Sequence, residues 1–256
     1  MNYALKNDQE VHRLKKQSQE LNYNLELELA GIKLPAQSKV LEIGCGAGSL
    51  IHFLKDKFDI NAYGVDLQPE HIDFCKTHYP KIHFSQHDIL TGAFQEKIDH
   101  IFMRYVTHHL GVHNFENSLT HIKNSLTPKG KLTIIDVDGL LANIGTPNEE
   151  LIDYIHKIQQ NFVGDLYMGR KIPELLVNNG LTVESTKVQT VVFEGKAREE
   201  EIQQWHQRFE FAELTYIKML GTELDFKRFK SLFFKELSKP HIPYFLNKVI
   251  TTAQLN

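Results

Sequence analysis

Short apolar segments alternate with amphipathic segments along most of the chain, and this alternation predicts strands separated by helices. Seven strands are predicted, at residues 40–43, 61–66, 82–86, 99–105, 131–138, 181–193 and 244–252. The helices predicted between them occupy residues 50–57, 69–78, 114–125, 147–162 and 169–176. Strands that alternate with helices in this way are typical of an α/β fold in which most strands run parallel.

An amphipathic helix is also predicted ahead of the first strand, over residues 8–30. Apolar side chains recur there at helical spacing between charged residues, at Val11, Leu14, Leu21, Leu25 and Leu29. A helix in this place covers the domain, and Arg13 and Gln17 are the side chains on it that can reach a bound ligand. The alternative for both residues is an ordinary solvated helix face.

A helical insertion is predicted between the last two strands. Residues 198–220 and 224–237 both carry apolar side chains at steps of three and four. The insertion is rich in aromatic residues, and Trp205, Phe209 and Tyr216 have two open interpretations. They either form the wall of an apolar substrate pocket or pack as the seam of a helical hairpin.

A glycine-rich turn joins the first predicted strand to the first predicted helix, with glycine at 44, 46 and 48. Glycines at alternate positions let a ligand lie against the main chain, because no side chain keeps it away. The dinucleotide fingerprint G-x-G-x-x-G is not met, since its third glycine position is Ser49. Glu42, two residues before the turn, repels a pyrophosphate and favours an ammonium group, so a zwitterionic amino-acid tail fits better.

Composition narrows the classes of partner. The chain has 256 residues and a net charge of −3, so it has no overall attraction to nucleic acid or to an anionic membrane. We expect a cytoplasmic protein, because neither a leader sequence nor an apolar stretch of membrane-spanning length is apparent. The two cysteines, Cys45 and Cys75, make a disulfide framework improbable. Cys45 is interpreted as a small packing residue beside the ligand, with a nucleophile as the alternative.

The motifs together resemble the class I S-adenosylmethionine-dependent methyltransferases. The resemblance rests on the glycine turn and on three later segments, Gly64-Val65-Asp66, His87-Asp88-Ile89 and Asp99-His100-Ile101-Phe102-Met103-Arg104. In family order it extends over residues 11–193. It implies a Rossmann-like, seven-stranded, mostly parallel sheet with an antiparallel last strand, helices on both faces and a helical lid insertion.

The resemblance also implies S-adenosylmethionine as cofactor and a set of residues that bind it. These are Glu42, Gly44, Cys45, Gly46, Gly48, Asp66, Leu67, Asp88, Ile89, Met103 and Arg104. Asp66 follows the second strand, 22 positions after Gly44, and is assigned to the ribose hydroxyls. Asp88 and the Ile89 amide are assigned to the adenine. Because an unpaired buried guanidinium is costly, Arg104 is expected to pair with Glu42 or with the methionine tail of the cofactor.

Catalytic candidates follow the fourth and fifth strands. A hydroxyl acceptor needs its proton removed, and His108 or His109, just beyond the fourth strand, is the best-placed base. Asp136 shares a strand face with Asp138, and it either acts on the substrate or only pairs with Arg104 or caps a loop. A magnesium site using Asp136 is a minor alternative, because no H-E-x-x-H cluster is present. No metal is therefore predicted.

The sequence thus predicts a methyltransferase acting on a small organic molecule, with an O, N or C acceptor atom left open. Its parts are a helical lid segment (1–38), a cofactor-binding domain (39–197), the helical insertion (198–238) and a final strand region (239–256). Two other functions stay open: a catalytically silent module that binds S-adenosylmethionine or a partner, and an NAD-dependent oxidoreductase. The oligomeric state is open between monomer and homodimer.

Overall fold

The computed structural model describes residues 8–18 and 23–256. Its strands are β1 (Lys39–Ile43), β2 (Asn61–Asp66), β3 (His83–Gln86), β4 (Ile98–Arg104), β5 (Leu126–Asp138), β6 (Leu181–Val192) and β7 (Phe245–Leu255). Its helices are α1 (Asp8–Gln17), α2 (Leu25–Glu28), α3 (Ser49–Lys57), α4 (Pro69–His78), α5 (Thr107–Ser125), α6 (Glu149–Asn161), α7 (Met168–Asn178), α8 (Gly195–Phe211), α9 (Glu213–Leu220) and α10 (Glu223–Leu237). None of the helices in these residues is long and apolar enough to cross a membrane.

The strands form one seven-stranded sheet in the order β3-β2-β1-β4-β5-β7-β6. β1 pairs in parallel with β2 and β4, and β5 continues the parallel arrangement from β4. β7 lies between β5 and β6 and runs antiparallel to both. The predicted fold class, a mostly parallel sheet with an antiparallel last strand, is confirmed. The carboxyl ends of β1 to β5 therefore meet along one edge of the sheet.

Two layers of helices cover the sheet. On one face α3 and α4 pack against buried residues of β1 and β2, for example Leu54 on Val40. On the other face α5 and α7 pack against β4 and β5, with Phe115 and Ile172 fully buried. Both sides of the central strands are thus covered, and this explains their nearly continuous apolar sequences.

A third apolar cluster joins the insertion to the end of β5. The insertion has three helices where the periodicity predicts two, because the chain bends at Ala212 between α8 and α9. Phe209 is fully buried at the centre of this cluster, and its ring lies 5.0 Å from Tyr216 and 5.3 Å from Trp205 between ring centroids. The insertion therefore has its own aromatic core.

The leading helix and α5 differ most from the predicted helices. The helix predicted over residues 8–30 is two helices, and the side chain of Asn24 caps the second by accepting from the amides of Glu26 and Leu27. Leu21, predicted on this helix, lies outside the described residues. α5 begins at Thr107, seven residues before the predicted start, and bends at Gly111 (φ 70°, ψ 172°). His108 and His109, predicted in a loop, therefore lie in a first helical turn.

Candidate functional site

A cavity of about 330 Å³ opens at the carboxyl edge of the sheet. Its lining comes from the glycine turn, the ends of β2, β3 and β4, the start of α5, and helices α1, α6, α8 and α9. Most of the predicted site residues line it: Glu42, Gly44, Cys45, Gly46, Asp66, Leu67, Asp88, Ile89, Arg104, His108 and His109. Three predicted site residues lie outside this lining. Gly48 packs against α4, Met103 is buried inside the sheet, and Asp136 is buried beside His108.

The glycine turn brings main chain to the cavity. The amides of Gly44 and Cys45 both donate to the Val65 carbonyl, at 2.8 and 2.9 Å, which ties the turn to β2. Gly44 has φ +71°, and a Cβ there would lie 2.4 Å from Val106 Cγ2, so only glycine fits without a shift. Gly48 faces α4 instead, where a Cβ would lie 3.0 Å from Cys75 Sγ. Its role is helix packing rather than ligand contact.

Cys45 is a packing residue in the structure. Its side chain is buried, and the neighbouring Cys75 thiol together with burial raises the pKa of the Cys45 thiol well above its usual value. A thiol that stays protonated is a poor nucleophile. The geometry therefore supports the packing interpretation over the nucleophilic one.

Acidic side chains occupy the ends of the first strands. The Asp66 carboxylate accepts hydrogen bonds from the amides of Gly46 (2.8 Å) and Gln68 (2.9 Å), which hold it at the rim of the cavity. His71 Nδ1 lies 3.2 Å from Asp66 Oδ1 but is buried without a hydrogen-bond partner among the described residues. An unsatisfied buried nitrogen beside a carboxylate suits a ligand with several hydroxyl groups. This end of the cavity therefore fits the ribose of S-adenosylmethionine.

Glu42 has an unusual environment for a carboxyl group. Burial raises the pKa of Glu42 to about 8, and the hydrogen bond that its Oε2 accepts from the Ile51 amide, at 2.9 Å, offsets only part of this effect. The group is therefore largely protonated at neutral pH when no cation is near. A ligand ammonium group would favour the ionised form, so the site fits the amino-acid tail of S-adenosylmethionine.

We expect Glu42→Gln to change how stability depends on pH in the ligand-free protein. The folded-state pKa lies above the usual 4.5, so the stability contributed by Glu42 is complete below pH 4.5 and is lost as the pH rises to about 8. The variant should gain stability relative to the wild type across this window, by at most about 1.4 kcal/mol per pH unit. Urea unfolding between pH 5 and 8.5 measures this difference in stability.

Glu223→Gln is the control, because Lys227 lowers the pKa of this exposed carboxyl. The effect of this substitution on stability should not depend on pH above pH 5. Parallel curves for Glu42→Gln and wild type would contradict the prediction.

The sequence suggests Glu42 as one of two partners of Arg104. In the structure Arg104 instead pairs with Glu28 of α2. Its Nε and Nη2 donate to the two Glu28 carboxylate oxygens at 2.6 and 3.1 Å. Lys248 of β7 donates to the same carboxylate at 2.6 Å. Met103, the residue before Arg104, is fully buried inside the sheet and so does not contact the cavity.

His108 and Asp136 form a buried pair at the end of β4 and β5. His108 Nδ1 lies 2.7 Å from Asp136 Oδ1, and the His108 amide and Thr107 hydroxyl donate to Asp136 Oδ2. Burial alone would raise the pKa of Asp136, but His108 and these hydrogen bonds hold it below its usual value. Because Nδ1 is engaged by Asp136, Nε2 is the His108 nitrogen left for a ligand.

Asp136 therefore has a different role from its neighbour Asp138. Asp136 caps the start of α5 and orients His108, whereas Asp138 accepts two hydrogen bonds of 2.8 Å from Arg170. The alternative in which Asp136 pairs with Arg104 is not observed, because Arg104 pairs with Glu28. The His109 and His108 rings are tilted by 39° with centroids 3.9 Å apart, and burial followed by the nearby His108 lowers the pKa of His109.

The cavity lining includes Arg13 and Gln17, which the sequence predicts to be able to reach a bound ligand, and also Arg208, which the sequence pattern does not single out. Arg208 of α8 donates to Glu201 at 2.7 Å, and Arg13 of α1 makes two 2.7 Å bonds to Glu10. Arg13 also reaches Gln204 on α8 at 3.0 Å. A charged residue on an amphipathic helix is normally solvated, so the periodicity contains no signal for these buried pairs. Across residues 8–18 and 23–256, no group of three or more His, Cys, Asp or Glu side chains is arranged to hold a metal ion.

Comparison with known proteins agrees with this geometry. Residues 40–130, which extend from β1 into the first part of β5, match the family described as "Methyltransferase domain". The chain is 31% identical over 112 residues to the phosphoethanolamine N-methyltransferase of Plasmodium falciparum, a match covering 42% of each chain. It is 23% identical over 160 residues to the methoxy mycolic acid synthase MmaA3 of Mycobacterium tuberculosis, covering 59% of this chain and 53% of that protein. The matches thus span about half the length of these relatives.

A solved structure shares the fold. Haemonchus contortus phosphoethanolamine N-methyltransferase 2, bound to phosphomonomethylethanolamine and S-adenosylhomocysteine, superposes with a TM-score of 0.59 and 17% sequence identity. The superposition covers 97% of the present chain and 57% of the Haemonchus chain. The architecture described above is therefore one that accommodates this cofactor product in another protein.

Proposed function

We propose, on the premise that residues 40–130 form a methyltransferase domain within a class I S-adenosylmethionine-dependent methyltransferase fold, that this protein methylates a small organic acceptor. One observation carries the proposal. The cavity that Glu42, Asp66 and the glycine turn line at one end is also lined by His108, whose Nδ1 is held by Asp136 from outside the lining. A cofactor end and a candidate base thus share one cavity.

The cofactor end has a residue for each polar part of S-adenosylmethionine. Glu42 receives the ammonium, Asp66 the ribose hydroxyls, and Asp88 with the Ile89 amide the adenine. The amides of Gly46 and Gln68 already orient the Asp66 carboxylate, so little ordering is needed on binding. Gly44 and Gly46 both line the same cavity.

The bound cofactor supplies a methyl group activated by the positive charge on sulfur. The protein has to align the acceptor, exclude water and take up a proton when the acceptor is a hydroxyl or a protonated amine. His108 Nε2 accepts that proton, while the Asp136 carboxylate stabilises the charged imidazole through Nδ1. His109 is the neighbouring candidate for the same task, and its lowered pKa keeps it neutral at physiological pH.

Two helical segments enclose the acceptor. α1 and α8 are joined by Arg13 and Gln204, and Tyr23 receives a 2.9 Å hydrogen bond from Arg208. These contacts connect the leading segment to the insertion above the cavity. We therefore assign a lid role to both, because methyl transfer to a chosen acceptor requires that water be kept out.

Methyl transfer is tested by incubating the protein with S-adenosylmethionine labelled in its methyl group and a fractionated metabolite extract. A labelled product supports the proposal and identifies the acceptor atom. Phosphoethanolamine, the substrate in the name of one relative, is the first pure compound to add. Binding of S-adenosylmethionine without any labelled product would favour a silent binding module instead.

Asp66→Ala is expected to weaken S-adenosylmethionine binding by about 10- to 100-fold, as for the loss of a charge-assisted hydrogen bond. Titration calorimetry measures this change. Asp73→Ala, an exposed carboxylate on α4, is the matched control and should bind like the wild type. Equal affinity in the wild type and Asp66→Ala would remove Asp66 from the cofactor site.

A further inference from the structure

The acceptor end of the cavity is largely apolar and contains one guanidinium. Its walls come from the segment after β5 and from the helices around it, with Leu140, Leu141, Phe162 and Met219 in the lining. Arg208 is the one charged side chain that α6, α8 and α9 contribute to this lining. A molecule that fills this space therefore meets hydrocarbon surface and a single cation.

Arg208 is held in one orientation by three contacts. Nη1 donates to Glu201 at 2.7 Å, Nη2 donates to the Tyr23 hydroxyl at 2.9 Å, and the guanidinium carbon lies 4.7 Å from the centre of the Trp205 ring. Glu201 is buried and lies outside the cavity lining, so it fixes Arg208 from behind. Only two of the five guanidinium N–H groups are engaged by these bonds. A guanidinium held in this way presents its remaining donors to carboxylate or phosphate oxygens.

Tyr216 adds a second polar group beside Arg208. Its hydroxyl makes no hydrogen bond within the described part of the chain, although the residue lines the cavity. Burial raises the pKa of Tyr216, and the charge of Arg208 partly offsets the increase. Both residues line the same cavity. The ring is fixed by edge contact with Phe209 at 5.0 Å. A free hydroxyl on a fixed ring is a suitable donor to an anion.

Acidic side chains are confined to the other end of the cavity. Glu42, Asp66 and Asp88 line it at the ends of β1, β2 and β3. α6, α8 and α9 contribute no carboxylate to the lining. A cationic group placed among these helices would meet Arg208 without a counter-charge in contact, which is electrostatically unfavourable.

We infer that the acceptor is an amphipathic organic anion whose carboxylate or phosphate binds Arg208 and the Tyr216 hydroxyl while its apolar body packs against Leu141, Phe162 and Met219. The inference rests on the proposed function and specifies the substrate class of the same site. The anion lies at the insertion end, so the acceptor atom faces His108 and the cofactor end. Arg208 and Tyr216 are then specificity residues and take no part in proton transfer.

The test compares four probes that share one eight-carbon chain: octanoate, octyl phosphate, octanamide and octylamine. Each is titrated into the wild-type protein saturated with S-adenosylhomocysteine, and binding is followed by calorimetry. We expect the two anions to bind at least about 10-fold more tightly than the amide and the amine. The comparison of octanoate with octyl phosphate decides which anion the site prefers. Octylamine or octanamide binding as tightly as the anions, or no binding of either anion, would overturn the inference.

Two variants locate the anion. Arg208→Gln should weaken octanoate binding by about 10- to 100-fold, and Tyr216→Phe by about 3- to 10-fold, with octanamide unaffected in both. Tyr216→Phe keeps the aromatic packing, so it serves as the test if Arg208→Gln fails to fold. Arg228→Gln is the matched control, because Arg228 makes a comparable two-bond contact with Glu150 on the exposed surface. Octanoate affinity unchanged in Tyr216→Phe and in any folded Arg208→Gln protein would contradict the assignment.

Failure of this inference can be distinguished from failure of the proposed function. Affinity for S-adenosylhomocysteine is measured separately for each protein before the probes are added. If that affinity is absent, the cofactor assignment fails, and the probe series is repeated on the ligand-free protein to judge the anion site alone. If the cofactor product binds and the anions do not, the substrate class is wrong while the methyltransferase proposal stands.

Discussion

Replacing His108 with alanine is expected to lower kcat by about 10²- to 10⁴-fold, the usual contribution of a general base. Cofactor affinity should change less than about threefold, because the assigned cofactor contacts come from β1, β2 and β3. The expectation rests on the 2.7 Å contact between His108 Nδ1 and Asp136, which leaves Nε2 as the ring nitrogen available to a ligand in the cavity that His108 lines. Steady-state kinetics with the acceptor found by the labelling experiment, together with calorimetry for S-adenosylmethionine, separates the two effects.

Companion variants decide between the two histidines. Asp136→Asn should also lower kcat, because it removes the carboxylate that orients the His108 ring. His109→Ala should reduce kcat less than His108→Ala, since Asp136 orients the His108 ring through a 2.7 Å contact with Nδ1. The opposite order would identify His109 as the base. Wild-type kcat in both variants would mean that the acceptor needs no base from this pair.

Phe209→Ala is expected to destabilise the protein by about 3–5 kcal/mol, the cost of removing a large buried aromatic side chain. Phe209 is fully buried, and its ring contacts a group of aromatic residues: Trp205, Tyr216, Phe226, Phe229, Phe233 and Phe234. Several of these contacts join α8 to α10, so a cavity at this position affects the entire insertion. Urea unfolding followed by tryptophan fluorescence reports the change directly, because Trp205 is the single tryptophan.

Phe53→Ala on α3 is the matched control for this substitution. Phe53 is partly exposed, so its truncation leaves a smaller void and should cost roughly 1 kcal/mol. Comparable losses in the two variants would indicate that the insertion contributes little to the stability of the folded state. The acceptor site would then lie on a segment that opens without unfolding the sheet.

The elements of the sheet follow from local patterns in the sequence. The boundaries predicted for β2 and α4 coincide with the observed Asn61–Asp66 and Pro69–His78. These segments are well determined because apolar periodicity, the glycine turn and Pro69 at a helix start all act over a few residues. The positions of Asp66 and Asp88 at the cavity follow as well, because parallel strands bring their carboxyl ends to one edge.

The helix boundaries that were wrong depend on contacts that local patterns do not include. α5 starts early because Asp136, on a strand 28 positions further along the chain, accepts from the His108 amide. The leading helix is divided because Asn24 caps the start of α2. This cap is a local signal, but the apolar spacing over residues 8–30 predicted a single helix. In the insertion, periodicity predicted helices correctly but not the bend at Ala212.

The sequence by itself therefore determined the fold class, and it predicted a cofactor end and two candidate bases. Tertiary structure alone decided which polar side chains meet: Arg104 with Glu28, His108 with Asp136, and Arg208 with Tyr23. The reason is physical. Secondary structure reflects interactions between near neighbours, whereas a buried ion pair forms wherever packing brings two distant side chains into a space with few water molecules. The acceptor end of the cavity consists mainly of such long-range contacts, and for this reason its chemistry could be inferred only from the folded chain.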